Sequence, residues 1–292
     1  MQPALLIRRY SDSLGLNIQT MQNIWLRRAL RALMLFVALP YLAVCILVFT
    51  QQNALLYPAE PQATPPDLRQ WPAWQALTTS GEALAYWREP VGAARGTVVL
   101  FHGNGGTALD RSFYADALTP LGYRTVLAEY PGYGGRSGQP GEAALVADAW
   151  QLIDFVAQRF SGPIIVWGES LGAGVAAAAM AQGHPRVRGI ALLTPWNTLA
   201  DAAGSHYPYL PVRWLLRDRY DSSANLRQYK GRLAVVVAGD DHIIPSRLGE
   251  ALYAEHPGEK RLWRFARSDH NDWHDAADPR WWQEIMAYLD PQ

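Results

Sequence analysis

The chain has 292 residues, of which 49% are hydrophobic and 18% are charged, and its formal net charge is zero. This composition excludes gross disorder and is typical of a packed globular protein. Residues 1–50 contain five arginines and one acidic residue, which leaves 21 basic and 25 acidic residues for the rest. Because the rest of the chain is mildly acidic and has no basic run, nucleic acid is not an expected partner. The single cysteine, Cys45, excludes an intrachain disulfide and a metal site built from cysteines.

An uncharged apolar stretch lies near the N-terminus, at residues 32–50. Its nineteen residues would span about 29 Å as a helix, close to the hydrocarbon thickness of a bilayer. Arg27, Arg28 and Arg31 stand just before it, and the next basic residue is Arg69. By the positive-inside rule, the sequence predicts a single-pass anchor with residues 1–31 as a cytoplasmic tail and the body on the non-cytoplasmic, periplasmic side.

Other interpretations of this stretch remain open. It could be a cleaved signal peptide, although it is long for one and no small-x-small cleavage site follows. The residues before Cys45 resemble a lipoprotein cleavage box only poorly, because valine directly precedes the cysteine. A buried core helix is a further alternative. Met21 could be the true start, since everything that an anchor needs lies after it.

Residues 51–75 contain five prolines and are predicted to be a linker between the anchor and a body at 76–292. In the body, short β-rich apolar runs alternate with helical patterns after an initial β-hairpin. This order predicts an α/β fold, with a mostly parallel central sheet covered by helices on both faces. One helix is predicted over 141–160, with Ala144, Val146, Trp150, Ile153 and Val156 on its buried face. The predicted strands after the hairpin turn are 84–87, 97–101, 124–128, 164–167, 190–193, 233–237 and 261–265.

Ser170 stands in the sequence Gly-Glu-Ser-Leu-Gly, between an apolar strand and a helix of small residues. A serine on a sharp strand-to-helix turn needs small residues two positions away on each side, because the turn is crowded. The helix that follows directs its N–H groups and its positive dipole end towards the serine. This pattern predicts a nucleophile, whereas a glycine-rich packing turn is the simpler alternative.

A glycine-rich loop, His-Gly-Asn-Gly-Gly at 102–106, follows another predicted strand. Backbone N–H groups in such a loop can approach a substrate oxygen closely. The amides of Asn104 and Leu171 are therefore the predicted oxyanion hole, and His102 is assigned a structural role beneath the loop. A phosphate-binding loop is not favoured, because no Gly-Lys-Ser/Thr follows.

The acid and the base of a serine hydrolase would follow Ser170 in that order, each in a loop after a strand. The residues leave two acids, Asp240 and Asp241, and two histidines, His270 and His274. A metal cluster around 269–274 is an alternative, but it would leave the serine turn unexplained.

From residue 55 onwards, the chain resembles the Bem46-like membrane-anchored group of the α/β-hydrolase superfamily, which also contains serine aminopeptidase-like enzymes. The resemblance implies Asp241 as the acid and His270 as the base, from matches to Asp-x-Ile/Val-Ile/Val-Pro and His-Asn-Asp. It also implies a short helical cap insertion at about 195–229, where Asn197 departs from the serine that relatives often carry. The motifs that carry the resemblance are HGNGG, EYPGYGGRSGQPGE, GESLG, TPWNTLAD, YPYLPVRWLLRDRYDS, GDDHIIP and DHND.

The function expected from these residues is a membrane-tethered serine hydrolase of a carboxylic ester or thioester. An acyl-enzyme would form on Ser170, with no metal or organic cofactor. The substrate would be a small or lipid-like acyl compound, and the apolar cap could either hold its acyl chain or simply pack onto the sheet. The alternatives are a peptidase with the same triad, which would need an acidic pocket for the substrate amine, and a catalytically silent interaction module.

Overall fold

The structure is a computed structural model, and it describes residues 20–58, 64–79 and 81–291. Residues 1–19 of the predicted tail and 59–63 of the predicted linker lie outside the described residues. The chain divides into two units, Met1–Gln51 and Gln52–Gln292.

A continuous helix, α1, runs over Thr20–Leu56. Among the described residues, it is the one helix that is long and apolar enough to cross a membrane, judged by length and composition. Pro40 has no N–H and crowds the carbonyl one turn earlier, and the wider π-helical turn Met34–Ala38 ends two residues before it. The helix therefore continues past the proline without a break, and it ends six residues after the apolar stretch at 32–50.

The larger unit is built on an eight-stranded sheet with the order β1-β2-β4-β3-β5-β6-β7-β8. The pairs β1–β2 and β2–β4 are antiparallel, and every other neighbouring pair is parallel. The predicted mostly parallel sheet is therefore confirmed. The strands are β1 (Gln75–Thr79), β2 (Glu82–Arg88), β3 (Gly96–Phe101), β4 (Tyr123–Ala128), β5 (Ile164–Glu169), β6 (Val187–Leu193), β7 (Arg232–Ala238) and β8 (Lys260–Phe265).

The central strands are buried on both faces, and alternate side chains enter two separate cores. On β3, Val99 and Phe101 belong to one core, and Val98 and Leu100 to the other. This burial on both faces explains why the strands are continuous apolar runs. The helices of this unit are α2 (Phe113–Leu118), α3 (Glu142–Arg159), α4 (Leu171–Ala179), α5 (Leu199–His206), α6 (Val212–Leu215), α7 (Ser222–Leu226), α8 (Ser246–Glu255) and α9 (Pro279–Leu289).

Helices cover both faces of the sheet. Side chains of α3, α4 and α8 enter the core on one face, and those of α2 and α9 enter the core on the other. The three helices α5, α6 and α7 lie between β6 and β7 in chain order and form the helical insertion, which we call the cap.

The buried face of α3 differs from the predicted one. Trp150 is 37% exposed and Ala144 is also exposed, so their predicted burial is wrong. Apolar residues occupy almost every side of this helix, and the periodicity could not separate one face from another. The residues that α3 buries are Leu145, Ala149, Leu152, Ile153 and Val156.

Candidate active site

Ser170 occupies the turn between β5 and α4, in the backbone conformation φ 53°, ψ −114°. A positive φ is unfavourable for a residue with a Cβ, and such strain persists only where the surroundings fix it. Here the Ser170 N–H donates to the carbonyl oxygen of Leu193 on the neighbouring strand at 2.9 Å. The turn therefore holds the serine at the carboxyl end of the sheet, with its side chain next to the start of a helix.

Two glycines allow this turn to close. A Cβ at Gly172 would overlap the carbonyl oxygen of Phe101, and a Cβ at Gly168 would overlap the carbonyl oxygen of Gly172. The predicted need for small residues on both sides of Ser170 thus has a physical cause: α4 starts in contact with the ends of β3 and β5.

We expect Gly172→Ala to destabilise the protein by about 3 kcal/mol or more, because the new methyl group meets backbone that cannot move aside cheaply. Denaturant unfolding of the purified variants measures this loss. Gly141→Ala is the matched control, since a Cβ at Gly141 would meet nothing within 4 Å. Equal stability losses in the two variants would contradict the tight packing of the turn.

The structure brings Ser170, His270 and Asp241 together in one chain of hydrogen bonds. The Ser170 Oγ lies 2.9 Å from His270 Nε2, and His270 Nδ1 lies 2.8 Å from Asp241 Oδ2. All three residues are less than 10% exposed. Low exposure strengthens these contacts, because water does not compete for them. A serine, an imidazole and a carboxylate in this order can activate the hydroxyl as a nucleophile.

The geometry separates the two acids that follow β7. The second oxygen of Asp241 accepts N–H bonds from Ile243 and Ile244, at 2.9 Å and 2.6 Å. These bonds fix the carboxylate so that its first oxygen faces the imidazole. Asp240 is exposed, and its N–H donates to the carbonyl oxygen of Ser268.

His270 is held by its own loop, whereas His274 lies elsewhere. The carboxylate of Asp269 accepts the N–H groups of His242 and His270, and these backbone bonds lower the pKa of Asp269. His274 stacks on Phe113, with ring centres 4.8 Å apart. Only one of the two candidate histidines therefore reaches the serine.

The predicted oxyanion donors flank the serine. Leu171 is the first residue of α4, so its N–H is among those that have no partner within the helix. Asn104 lines the same cavity as Ser170, and its side-chain Nδ2 donates to the carbonyl oxygen of Leu56 at 3.2 Å. The fully buried His102 lies under this loop, with Nδ1 2.7 Å from the Gly103 carbonyl oxygen. An oxygen placed over Ser170 would thus meet a glycine-rich loop on one side and a helix N-terminus on the other.

A cavity of about 320 Å³ opens at Ser170 and His270. Its wall includes residues that the motifs did not predict to be functional, and a second cavity shares several of them and continues towards Phe113 and His274. The shared residues are Asp110, Arg111, Glu169 and Asn271.

An ion pair forms part of this wall. Arg111 Nε donates to Glu169 Oε1 at 3.0 Å, and the Tyr114 hydroxyl donates to Glu169 Oε2 at 3.0 Å. Burial alone would lower the pKa of Arg111, but the charge of Glu169 and their hydrogen bond raise it. Burial raises the pKa of Tyr114 well above its usual range, and the Glu169 charge adds to this effect. Both oxygens of Glu169 are therefore engaged beside the nucleophile.

The cap forms a different cavity, of about 600 Å³, between α5, α6 and the start of α8. It is lined by apolar residues such as Leu210, Val212 and Trp214, together with Arg213 and Arg247. None of its lining residues belongs to the cavity at Ser170. The cap and the serine site are nevertheless connected, because His206 Nε2 lies 2.6 Å from the carbonyl oxygen of Ile243, which lines the serine cavity.

A mostly parallel eight-stranded sheet with a serine on a strained strand-to-helix turn defines the α/β-hydrolase fold. Residues 92–220 match the Hydrolase_4 family, described as serine aminopeptidase, S33. The uncharacterized protein Rv2307c of Mycobacterium tuberculosis (strain ATCC 25618 / H37Rv) is 33% identical over 244 residues, which cover 81% of this chain and 86% of that protein. The chain belongs to the α/β-hydrolase superfamily, as its motifs indicate.

Two further similarities concern a lipase and a solved structure. Lysophosphatidylserine lipase ABHD12 of Danio rerio is 32% identical over 190 residues, which cover 58% of this chain and 50% of the lipase. The match thus spans half the length of that enzyme. The structure of Est1E from Butyrivibrio proteoclasticus with bound ferulic acid has a TM-score of 0.62 at 17% identity, covering 74% of this chain and 98% of Est1E. This second likeness concerns the fold.

Proposed function

We propose that the protein is a membrane-tethered serine hydrolase that cleaves a carboxylic ester or thioester of an acyl substrate. The observation that carries this proposal is the pair of hydrogen bonds from Ser170 through His270 to Asp241. Ser170 is the nucleophile, His270 the general base and Asp241 the group that orients and stabilises the imidazolium. A silent interaction module would have no need for this arrangement on a strained turn.

The reaction proceeds in two halves. The Ser170 oxygen attacks the substrate carbonyl while its proton passes to His270 Nε2, and the oxygen that becomes negative accepts N–H bonds from Asn104 and Leu171. The intermediate collapses, and the alcohol or thiol leaves with the proton from His270. A water molecule, deprotonated by His270, then attacks the acyl-enzyme, and the carboxylic acid departs as Ser170 regains its proton. Every step uses side chains and N–H groups of this chain.

The lining of the serine cavity favours an ester over a peptide with a free amine. An aminopeptidase needs an acidic group available for the substrate ammonium, but Glu169 is paired with Arg111. The other carboxylate in this wall, Asp110, accepts the N–H and hydroxyl of Thr107. A lipid-like ester is supported by the similarity to lysophosphatidylserine lipase ABHD12. We propose that the polar cleft beside Ser170 takes the polar part of such an ester.

The membrane attachment rests on helix α1. Its length and apolar composition, with Arg27, Arg28 and Arg31 before the uncharged stretch, support a single-pass anchor with the N-terminus in the cytoplasm. On this proposal, the catalytic unit lies on the non-cytoplasmic side of the membrane.

A panel of p-nitrophenyl esters with acyl chains of increasing length, compared with aminoacyl p-nitroanilides, tests the reaction class. We expect kcat/KM for the best ester to exceed that for any aminoacyl amide by at least about 100-fold, because the charge of Glu169 is compensated by Arg111 and Asp110 is bonded to Thr107. Faster cleavage of the aminoacyl amides would favour the peptidase. Negligible turnover of every ester and amide would favour the silent module.

A further inference from the structure

Large aromatic side chains of the cap are exposed. Tyr209 is 88% exposed, Trp214 is 86% exposed and Tyr207 is 50% exposed. All three lie within eight residues of one another, around α6. We call Tyr207, Tyr209, Arg213 and Trp214 the cap edge. Clustered aromatic exposure is unusual for a surface that faces only water, and it typically marks contact with a partner or a membrane.

Gln52, near the end of helix α1, is hydrogen-bonded to the cap. The side chain of Gln52 is 9% exposed because it bonds to the cap: Nε2 donates to the carbonyl oxygen of Leu215 at 3.2 Å, and Oε1 accepts the N–H of Arg217 at 2.8 Å. Gln52 is two residues beyond Thr50, where the apolar stretch ends. If residues 32–50 cross the hydrocarbon layer, Gln52 lies at its boundary, and the cap residues bonded to it lie there as well.

A second contact holds the cap to the same segment. The Tyr57 hydroxyl donates to Asp218 Oδ2 at 2.5 Å and lies 2.9 Å from the Tyr220 hydroxyl, and Tyr57 is buried. The cap is therefore bonded at both ends of the segment 52–57. Trp214 directly precedes Leu215 and therefore lies near Gln52.

We propose that the cap edge lies in the headgroup layer of the membrane that α1 enters, with phospholipid as the bound partner; this rests on the proposed membrane attachment. Tryptophan and tyrosine favour this layer, since their rings are apolar and their N–H and O–H groups can bond to water and headgroups. Residues 207–219 carry three arginines and one aspartate, which suits anionic headgroups. Arg213 is paired with Asp201, but its side chain is still 74% exposed.

This position deepens the proposed function, because it connects the lipid surface to the serine. His206, next to Tyr207 of the cap edge, is hydrogen-bonded to Ile243 at the wall of the Ser170 cavity. On this proposal, a lipid-derived ester held among the headgroups reaches the Ser170 cavity along this part of the cap. We therefore predict that the protein hydrolyses an ester faster when the ester is presented in a bilayer than when it is dispersed in water.

Site-specific fluorescence in vesicles tests the proposal on the full chain. The protein has a single cysteine, so Cys45→Ser gives a background in which Tyr209→Cys or Trp214→Cys carries one environment-sensitive label. The matched control is Val91→Cys, at a fully exposed position in the turn between β2 and β3. Each labelled protein is reconstituted in vesicles of phosphatidylcholine and phosphatidylglycerol that contain lipids with a nitroxide on the headgroup.

We expect the nitroxide to quench the labels at 209 and 214 roughly threefold or more above the label at 91, because interfacial groups lie within several ångströms of the headgroups. Equal quenching at the three positions would overturn the proposal. Quenching at 209 and 214 that is weak and rises only when the protein is diluted into excess vesicles of the same composition would also overturn it, since a second copy of the chain would then cover the cap edge. Hydrolysis of a soluble ester by the same samples separates the outcomes: quenching without turnover would refute the hydrolase while retaining the membrane contact.

Discussion

Ser170→Ala is expected to lower kcat for ester hydrolysis on the order of 10⁴- to 10⁶-fold, because the acyl-enzyme cannot form without the hydroxyl. KM should change little, since the cavity wall stays in place. A p-nitrophenyl ester assay, with the concentrations of folded protein matched by circular dichroism, measures the loss.

Ser112→Ala is the control for this substitution, because the side chain of Ser112 makes no capping hydrogen bond at the start of α2. It should retain the activity of the unmodified protein. If Ser170→Ala kept more than about a tenth of kcat, the nucleophile would have to be another group.

The second large effect is expected from Asp241→Asn, which should lower kcat by about 10⁴-fold. The asparagine can still accept the N–H bonds of Ile243 and Ile244, but its amide would then face His270 Nδ1. The imidazole would be driven into the tautomer with its proton on Nε2, which cannot accept the proton of Ser170.

Asp240→Asn is the natural control, since it changes the neighbouring carboxylate in the same loop. Asp240 is exposed, and the bond from its backbone N–H to Ser268 is kept in the variant. We therefore expect kcat to stay within about twofold of the unmodified protein. Equal losses in the two variants, or a larger loss in Asp240→Asn, would contradict the assignment of the acid.

The sheet was predictable from the sequence because each of its central strands is a short run of consecutive apolar residues. Runs such as Val98–Phe101 and Leu233–Val237 are short and apolar at every position, which is typical of strands buried on both faces. The serine turn was also predictable, since Gly168 and Gly172 stand at fixed distances from Ser170. The buried face of α3 was not predictable in this way, because its apolar residues occupy nearly every side.

The spacing of the motifs limits the acid and the base to two candidates each, but it does not select one of them. Asp240 and Asp241 follow the same strand, and a one-residue difference in a loop has no periodicity to interpret. The choice made from the family motif agrees with the geometry: Asp241 is buried and bonded to His270, and Asp240 is exposed. These residues stay proposed catalytic groups until the variants are measured.

The residues that form the wall of the serine cavity could not be predicted from the sequence. Arg111 and Glu169 are 58 positions apart, and Glu169 occupies the variable position of the Gly-x-Ser-x-Gly pattern. Only the fold brings the two together. The same applies to Gln52 and Leu215, 163 positions apart, whose contact links the end of α1 to the cap.

The measurement that tests the central claim most directly is mass spectrometry of the protein after reaction with a fluorophosphonate. We predict one adduct per chain, located at Ser170, and no adduct in the Ser170→Ala variant or after His270→Ala, which removes the base. Absence of labelling in the folded, unmodified protein, or an adduct at a different residue, would contradict the assignment of Ser170 as the nucleophile.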